Sequence, residues 1–241
     1  MSEQRPKVGT LFLIPVALGG DDAQSVLAPA TTEIARRVNT FIAENAKSAR
    51  AFLKSIRHPR PVQEIRIHLL DEHTGEREIG PLLALLLAGE DCGLVSEAGC
   101  PAVADPGSAL VRRAHEAHVP VVPLVGPSSI LLALMASGMD GQRFVFHGYL
   151  PVDKTERTRK LKALEQRAHD ETQIFIETPY RNAAMLQSLL EHCQDDTLLC
   201  LAADLTLPAG SVTTRAISQW KKKPPALDRR QVVFLLSRDL K

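Results

Sequence analysis

Short apolar runs free of charge, such as Thr10-Leu11-Phe12-Leu13-Ile14 and Pro120-Val121-Val122-Pro123-Leu124, constrain this chain more than any other feature. A strand buried on both faces is continuously apolar, whereas a half-exposed strand alternates, so these runs suit the centre of a parallel sheet. Parallel neighbours need a crossover, usually a helix, and helical periods lie between the runs. The expected strands are Val8 to Ile14, Val38 to Ala43, Cys92 to Ser96, Val119 to Leu124 and Phe144 to Gly148. The expected helices between them are Asn45 to Ile56, Ile79 to Ala88, Ser108 to Ala117 and Ser128 to Ala136. This half reads as a doubly wound α/β domain.

After His147-Gly148-Tyr149-Leu150-Pro151 the composition turns to the charged run 153–160, which reads as the opening of a second domain. The expected division is therefore 1–148 and 149–241. In the second half we expect helices at Thr155 to His169 and Asn182 to Cys193. Strands are expected at Thr172 to Glu177, Leu198 to Ala203, near Val212 to Ile217, and at Gln231 to Leu236.

Composition demotes several classes of function without removing a local basic patch. Lys and Arg number 29 against 28 Asp and Glu, a formal charge of +1, so no global field draws the protein to nucleic acid or anionic lipid. Only 4% of residues are aromatic, too few for a chain that stacks successive bases of a single strand. Cys92, Cys100, Cys193 and Cys200 form no C-x-x-C pair, and they read as buried small apolar residues in a reducing compartment. The longest apolar runs fall short of the ~18 residues of a membrane helix, and the N-terminus carries no signal-like stretch. The expectation is a cytoplasmic protein with no membrane partner.

Ligands of open parallel sheets bind beyond the carboxyl ends of the strands, where loops meet helix N-termini. Four such loops are rich in Gly, Pro and small hydroxyl residues: Pro15 to Asp22, Glu97 to Gly107, Gly126 to Ser129, and Thr178 to Arg181. Any one could be an ordinary capped turn. Together they let main chain approach a flat, polar, nucleoside-like ligand closely. There is no G-x-G-x-x-G after a strand and no G-x-x-x-x-G-K-[ST], which weakens dehydrogenase and kinase readings. His115 and His118 lie on a presumptive helix without H-E-x-x-H, so they read as a solvated helix end and no metal is expected. No G-x-S-x-G elbow accompanies Ser96, Ser128 or Ser129.

At these loops the sequence resembles the tetrapyrrole methylase family of S-adenosylmethionine-dependent methyltransferases, closest to its branch that 2′-O-methylates a cytidine of small-subunit ribosomal RNA. That branch has V-S-D-A-G-T-P-x-I-S-D-P-G where residues 95–107 read Val-Ser-Glu-Ala-Gly-Cys-Pro-Ala-Val-Ala-Asp-Pro-Gly. Its P-G-A-S-A corresponds to 125–129, its E-S-P-H-R to 177–181 and its R-E-L-T to 203–206. The resemblance implies two α/β domains, a mainly parallel N-terminal sheet and a smaller mixed C-terminal one, with the methyl donor in the cleft between them, and a homodimer. It also implies that Pro15, Glu97, Ala98, Gly99, Val103, Ser128, Ser129, Pro179 and Leu205 line the S-adenosylmethionine site. The branch carries E-D-T-R after the second strand, and this chain has Glu44-Asn45-Ala46-Lys47, so a planar phosphate fork is replaced by a point charge.

A ribose hydroxyl titrates far above neutrality and benefits from a positioned base. Glu44 is the expected base, with Lys47 and Arg50 as substrate-facing cations; the plain alternative for Glu44-Asn45 is a helix N-terminus. Ribosomal RNA would need basic residues near the cleft mouth, for which Arg157, Arg159, Lys160, Lys162 and Lys221 to Lys223 are the dense sets. Each could equally be a solvated face. A small-molecule, tetrapyrrole-like acceptor, or donor binding without turnover, are the alternative functions.

Overall fold

In the computed structural model, residues 8–20, 23–71 and 74–238 are described. The first five strands are β1 (Leu11–Leu13), β2 (Thr40–Ala43), β3 (Arg66–Leu69), β4 (Cys92–Val95) and β5 (Val121–Pro123), in the spatial order β3-β2-β4-β1-β5. Every pairing among them is parallel, with Leu11 opposite both Cys92 and Val121. Helices α1 (Pro29–Ala35), α2 (Ala46–Ser55), α3 (Glu76–Leu87) and α4 (Ser108–Glu116) make the crossovers. Adjacent residues on the central strands feed opposite faces. Phe41 and Val95 pack with Phe52, Leu53 and Ile56, while Ile42 and Leu94 pack with Leu86, Leu110 and Val119. The unbroken apolar runs follow from that double burial.

The remaining strands are β6 (Phe144–Tyr149), β7 (Thr172–Glu177), β8 (Leu198–Ala203), β9 (Ser211–Ala216) and β10 (Val232–Ser237). They form a second five-stranded sheet in the order β6-β7-β10-β8-β9. Here β6 and β7 are parallel and the other pairs antiparallel, which makes the sheet mixed. Helices α5 (Ser129–Ser137), α6 (Lys154–Arg167), α7 (Asn182–His192) and α8 (Ile217–Lys222) accompany it. Phe175 and Phe234 stack at its centre with ring centroids 5.4 Å apart. Some buried polar groups there are held by defined partners: Trp220 Nε1 donates to the Leu199 carbonyl at 2.9 Å. Glu165 accepts from the Thr197 hydroxyl and the Gln194 amide.

The chain divides into two units, Met1–Ser128 and Ser129–Lys241, twenty residues before the expected division at 148. Two elements expected in the first domain account for the difference. Helix α5 buries Ala133 and Leu134 among Ile174, Cys200 and Leu235 of the second sheet, and the Thr214 hydroxyl donates to the Ser137 carbonyl at 2.7 Å. Strand β6 pairs with β7 rather than with the first sheet. Segment 130–135 is apolar all round, so its sequence does not say which sheet it covers.

Three short elements escape the sequence pattern: β3, α1 and α8. Among the described residues, no helix is long and apolar enough to cross a membrane.

Candidate functional site

In the first unit the connection from β1 to β2 passes β4 and puts α1 on the Phe41 face of the sheet, whereas that from β4 to β5 passes β1 and puts α4 on the opposite, Ile42 face. Between adjacent strands whose outgoing connections diverge in this way, the carboxyl ends open a crevice that parallel sheets use for ligands. The three loops gathered there are those after β1, β4 and β5.

Backbone locks these loops together. Val16 and Gly99 form an isolated antiparallel bridge, with Val16 N–H donating to the Gly99 carbonyl at 2.9 Å and Gly99 N–H to the Val16 carbonyl at 3.2 Å. Gly99 has φ +72°, and a Cβ there would lie 3.2 Å from Leu18 Cδ2, so a larger residue would meet both backbone strain and contact. Gly126 fits flush against the first loop: a Cβ would fall 2.3 Å from Pro15 Cβ. The Cys100 thiol donates to the Pro127 carbonyl at 3.5 Å, and the Thr31 hydroxyl of α1 holds the Val125 carbonyl at 2.7 Å. Sequence reasoning named Pro15 and Gly99 but missed Val16 and Gly126 as their partners. The glycine of Val125-Gly126-Pro127 was the available signal.

Of the expected donor-site residues, Pro15, Glu97, Ala98, Gly99, Val103 and Ser128 thus lie on these three loops. Pro15 and Gly99 are buried in the loop junction, Ala98 and Ser128 are half-buried, and Glu97 and Val103 face outwards. Ser96 Oγ donates to the Ala98 carbonyl at 3.3 Å, which fixes the turn from β4 into its loop. Segment 96–107 carries two carboxylates, Glu97 and Asp105, and no Lys or Arg. Burial raises the Asp105 pKa, and the Ser96 hydroxyl bonded to it pulls it back while Glu97 pushes it further up.

At the neighbouring strand end, Asn45 is the N-cap of α2, its side chain accepting from Lys47 N–H at 2.8 Å. The helix-start reading therefore holds for Asn45. Glu44 sits half-buried between β2 and the cap, and the Lys47 side chain is exposed.

Ser129, Pro179 and Leu205 belong to the second unit. Ser129 opens α5. Val232 pairs with both Glu177 and Ala203, so Pro179 and Leu205 each lie two residues beyond the same end of that sheet. Both turns are pinned: Arg181 donates to Glu177 and to the Leu150 carbonyl, and Asp204 accepts from Arg230 Nε at 2.6 Å and from Gln231 N–H at 3.0 Å.

Other groups singled out in the sequence do less. Cys92, Cys193 and Cys200 are buried, and desolvation pushes Cys92 and Cys193 up to about 12, which leaves them inert thiols. Cys100 is half-buried instead, in the loop after β4. Among the described residues, no three His, Cys, Asp or Glu side chains gather to hold a metal ion. Arg157 is spent on Ser188 and the Val152 carbonyl, and Lys221 on Asp195.

A parallel sheet with diverging connections, small-residue loops at its carboxyl edge and a mixed second sheet define a class, and the chain belongs to it: the profile of the Tetrapyrrole (Corrin/Porphyrin) Methylases matches residues 12–219. Within that class it is 37% identical over 181 residues to a protein of Micromonospora olivasterospora named Ribosomal RNA small subunit methyltransferase I, covering 75% of this chain and 55% of the relative. A protein of the same name from Xylella fastidiosa is 35% identical over 201 residues, covering 82% of this chain and 69% of the relative. The chain thus spans only part of these relatives' lengths. The crystal structure of the methyltransferase CobJ shares the fold at a TM-score of 0.64 and 19% identity, over 95% of this chain and 94% of that one.

Proposed function

We propose that this protein is an S-adenosylmethionine-dependent methyltransferase that 2′-O-methylates a ribose of small-subunit ribosomal RNA. The observation that carries the reading is the junction of Pro15, Val16, Gly99 and Gly126, which holds three small-residue loops at the divergent edge of a parallel sheet. Its chemistry fits the donor. Main chain at the exposed Glu97 and the half-buried Ala98 is proposed to meet an adenine edge and a ribose, and the half-buried Ser128 belongs to the same loop cluster. A loop with two acids and no cation does not repel a positively charged sulfur. Ser129, Pro179 and Leu205 of the second unit are proposed as further donor contacts.

Bound S-adenosylmethionine supplies an electrophilic methyl on a sulfonium, so the hard chemistry is the cofactor's. The protein's tasks are alignment and exclusion of water. In the proposed step the 2′-oxygen gains the methyl as the carbon–sulfur bond breaks, and the hydroxyl proton passes to the Glu44 carboxylate. Lys47 steadies a phosphate of the acceptor. A cytoplasmic homodimer is part of the same proposal, checked by light scattering on the purified protein.

The test is incubation with labelled S-adenosylmethionine and small-subunit ribosomal RNA, with a metabolite extract in parallel. Label in a ribose 2′-position supports the reading. Label only in a small molecule would reassign the acceptor, and no transfer to either would leave donor binding without turnover.

A further inference from the structure

We infer that the exposed face of α2 is the surface on which the phosphate backbone of the acceptor RNA docks. The inference rests on the RNA reading above and names where that RNA sits. Lys47, Arg50 and Lys54 recur at helical spacing and Arg57 follows at the helix end; all four are exposed. The ten-residue helix contains no acidic residue, while Ala49, Phe52 and Leu53 face the core. At 1.5 Å per residue the row extends over about 15 Å.

The row has no counter-charge of its own. Several other surface cations are matched, Arg37 with Glu33, Arg112 and Arg113 with Glu116, Lys154 with Glu191, and Arg238 with Asp196, while Arg159 and Lys162 of α6 are unpaired among the described residues as the α2 row is, but on a helix that carries acids. Among the described residues, none of Lys47, Arg50, Lys54 and Arg57 has an ion-pair partner. In a chain of net charge +1, a line of unmatched cations is a local field of one sign.

Charge complementarity selects the occupant. A membrane-surface helix buries its apolar face in lipid, but the apolar face of α2 is committed to the protein core. What remains outward is charge at regular intervals, which suits a polyanion of regular spacing, and two arginine forks suit phosphate oxygens. Position agrees as well. The row begins at Lys47, just past the carboxyl end of β2, the strand beside β4, and so starts at the edge that carries the proposed donor loops. Helix α6 is the rival surface, with Arg159 and Lys162 exposed, but its first turn holds Glu156 behind an Asp153 cap.

The test compares R50Q/K54Q/R57Q with R159Q/K162Q, both leaving Lys47 in place. A small-subunit ribosomal RNA transcript and an unrelated structured RNA are titrated at several salt concentrations. For the α2 variant we expect about tenfold or greater weakening at low salt on both RNAs, and a salt slope shallower by about 2, since each phosphate contact contributes about 0.7 to 0.9. The α6 variant should move neither by more than about twofold. Calorimetry with S-adenosylmethionine should give the same affinity for the α2 variant as for wild type, which establishes that it is folded. Unchanged affinity and slope in the α2 variant would overturn the inference, as would an equal or larger loss in the α6 variant. Binding of wild type to anionic phospholipid vesicles but not to RNA would overturn it too. Were label still to enter ribosomal RNA while the α2 slope stayed unchanged, the surface would fall and the proposed reaction stand.

Discussion

The two sheets each have five strands, yet they distribute their loops differently. In the first unit every strand runs the same way, so the turns after β1, β2, β4 and β5 all emerge at one edge, and small residues there let backbone pack on backbone. In the second unit β10 lies antiparallel between β7 and β8 and pairs with both along its backbone, with Phe175 stacked on Phe234 at the centre. Parallel topology concentrates free main-chain groups where chemistry can use them, whereas the mixed sheet spends its residues on a core. Substitutions in the loops at that edge should therefore cost function, and those in the core of the second sheet stability.

Glu44→Gln gives the largest expected effect. Removing the proposed base should slow methyl transfer about 10²- to 10⁴-fold, with donor affinity and melting temperature near wild type. A rate within threefold of wild type would remove Glu44 from the mechanism. Phe234→Ala sharpens the other half of the contrast. Truncating a fully buried stacked ring should cost about 3–5 kcal/mol in denaturant unfolding. Gly126→Ala is intermediate: a methyl 2.3 Å from Pro15 Cβ forces the first and third loops apart, costing about 1–3 kcal/mol and weakening donor binding as well. If stability fell but donor affinity held, the loop junction would be merely structural.

The smallest effect is one of pH. Burial lowers the His147 pKa, against the Gln173 hydrogen bond and Glu171 that raise it, with Lys160 and Arg167 pushing the same way as burial. Its folded pKa lies below the unfolded one, so the neutral form's stabilisation is complete above the ordinary histidine value and fades as pH falls through and below it. His147→Gln should flatten the loss of stability between about pH 7 and 5. A steeper loss in the variant would reverse the assignment.

Sequence and structure agree best where burial leaves no choice. β7 and β8 match their expected limits, Thr172 to Glu177 and Leu198 to Ala203, because each is built on a largely buried apolar stretch, Ile174 to Ile176 in β7, with polar turn residues on either side. β3 escapes notice because Arg66-Ile67-His68-Leu69 is a short edge strand with partly exposed side chains, too polar to stand out from a loop. α1 is seven residues long and α8 six, below the length at which a helical period is readable, and α8 ends in lysines. β6 was legible as a strand but not as a member of the second sheet, since pairing partners are set by topology. In the candidate site the loops were legible from their glycines and prolines. Their mutual contacts were not, because Val16 on Gly99 and Gly126 on Pro15 join residues about 80 and 110 apart in the chain.

The central claim is that the loop junction of the first unit holds an adenosyl sulfonium donor, and calorimetry of wild type and Gly99→Val with S-adenosylmethionine tests it most directly. We predict a measurable heat of saturable binding for wild type and its loss in the variant, whose far-ultraviolet circular dichroism stays that of a folded protein. No heat with wild type, or undiminished affinity in folded Gly99→Val, would contradict the account.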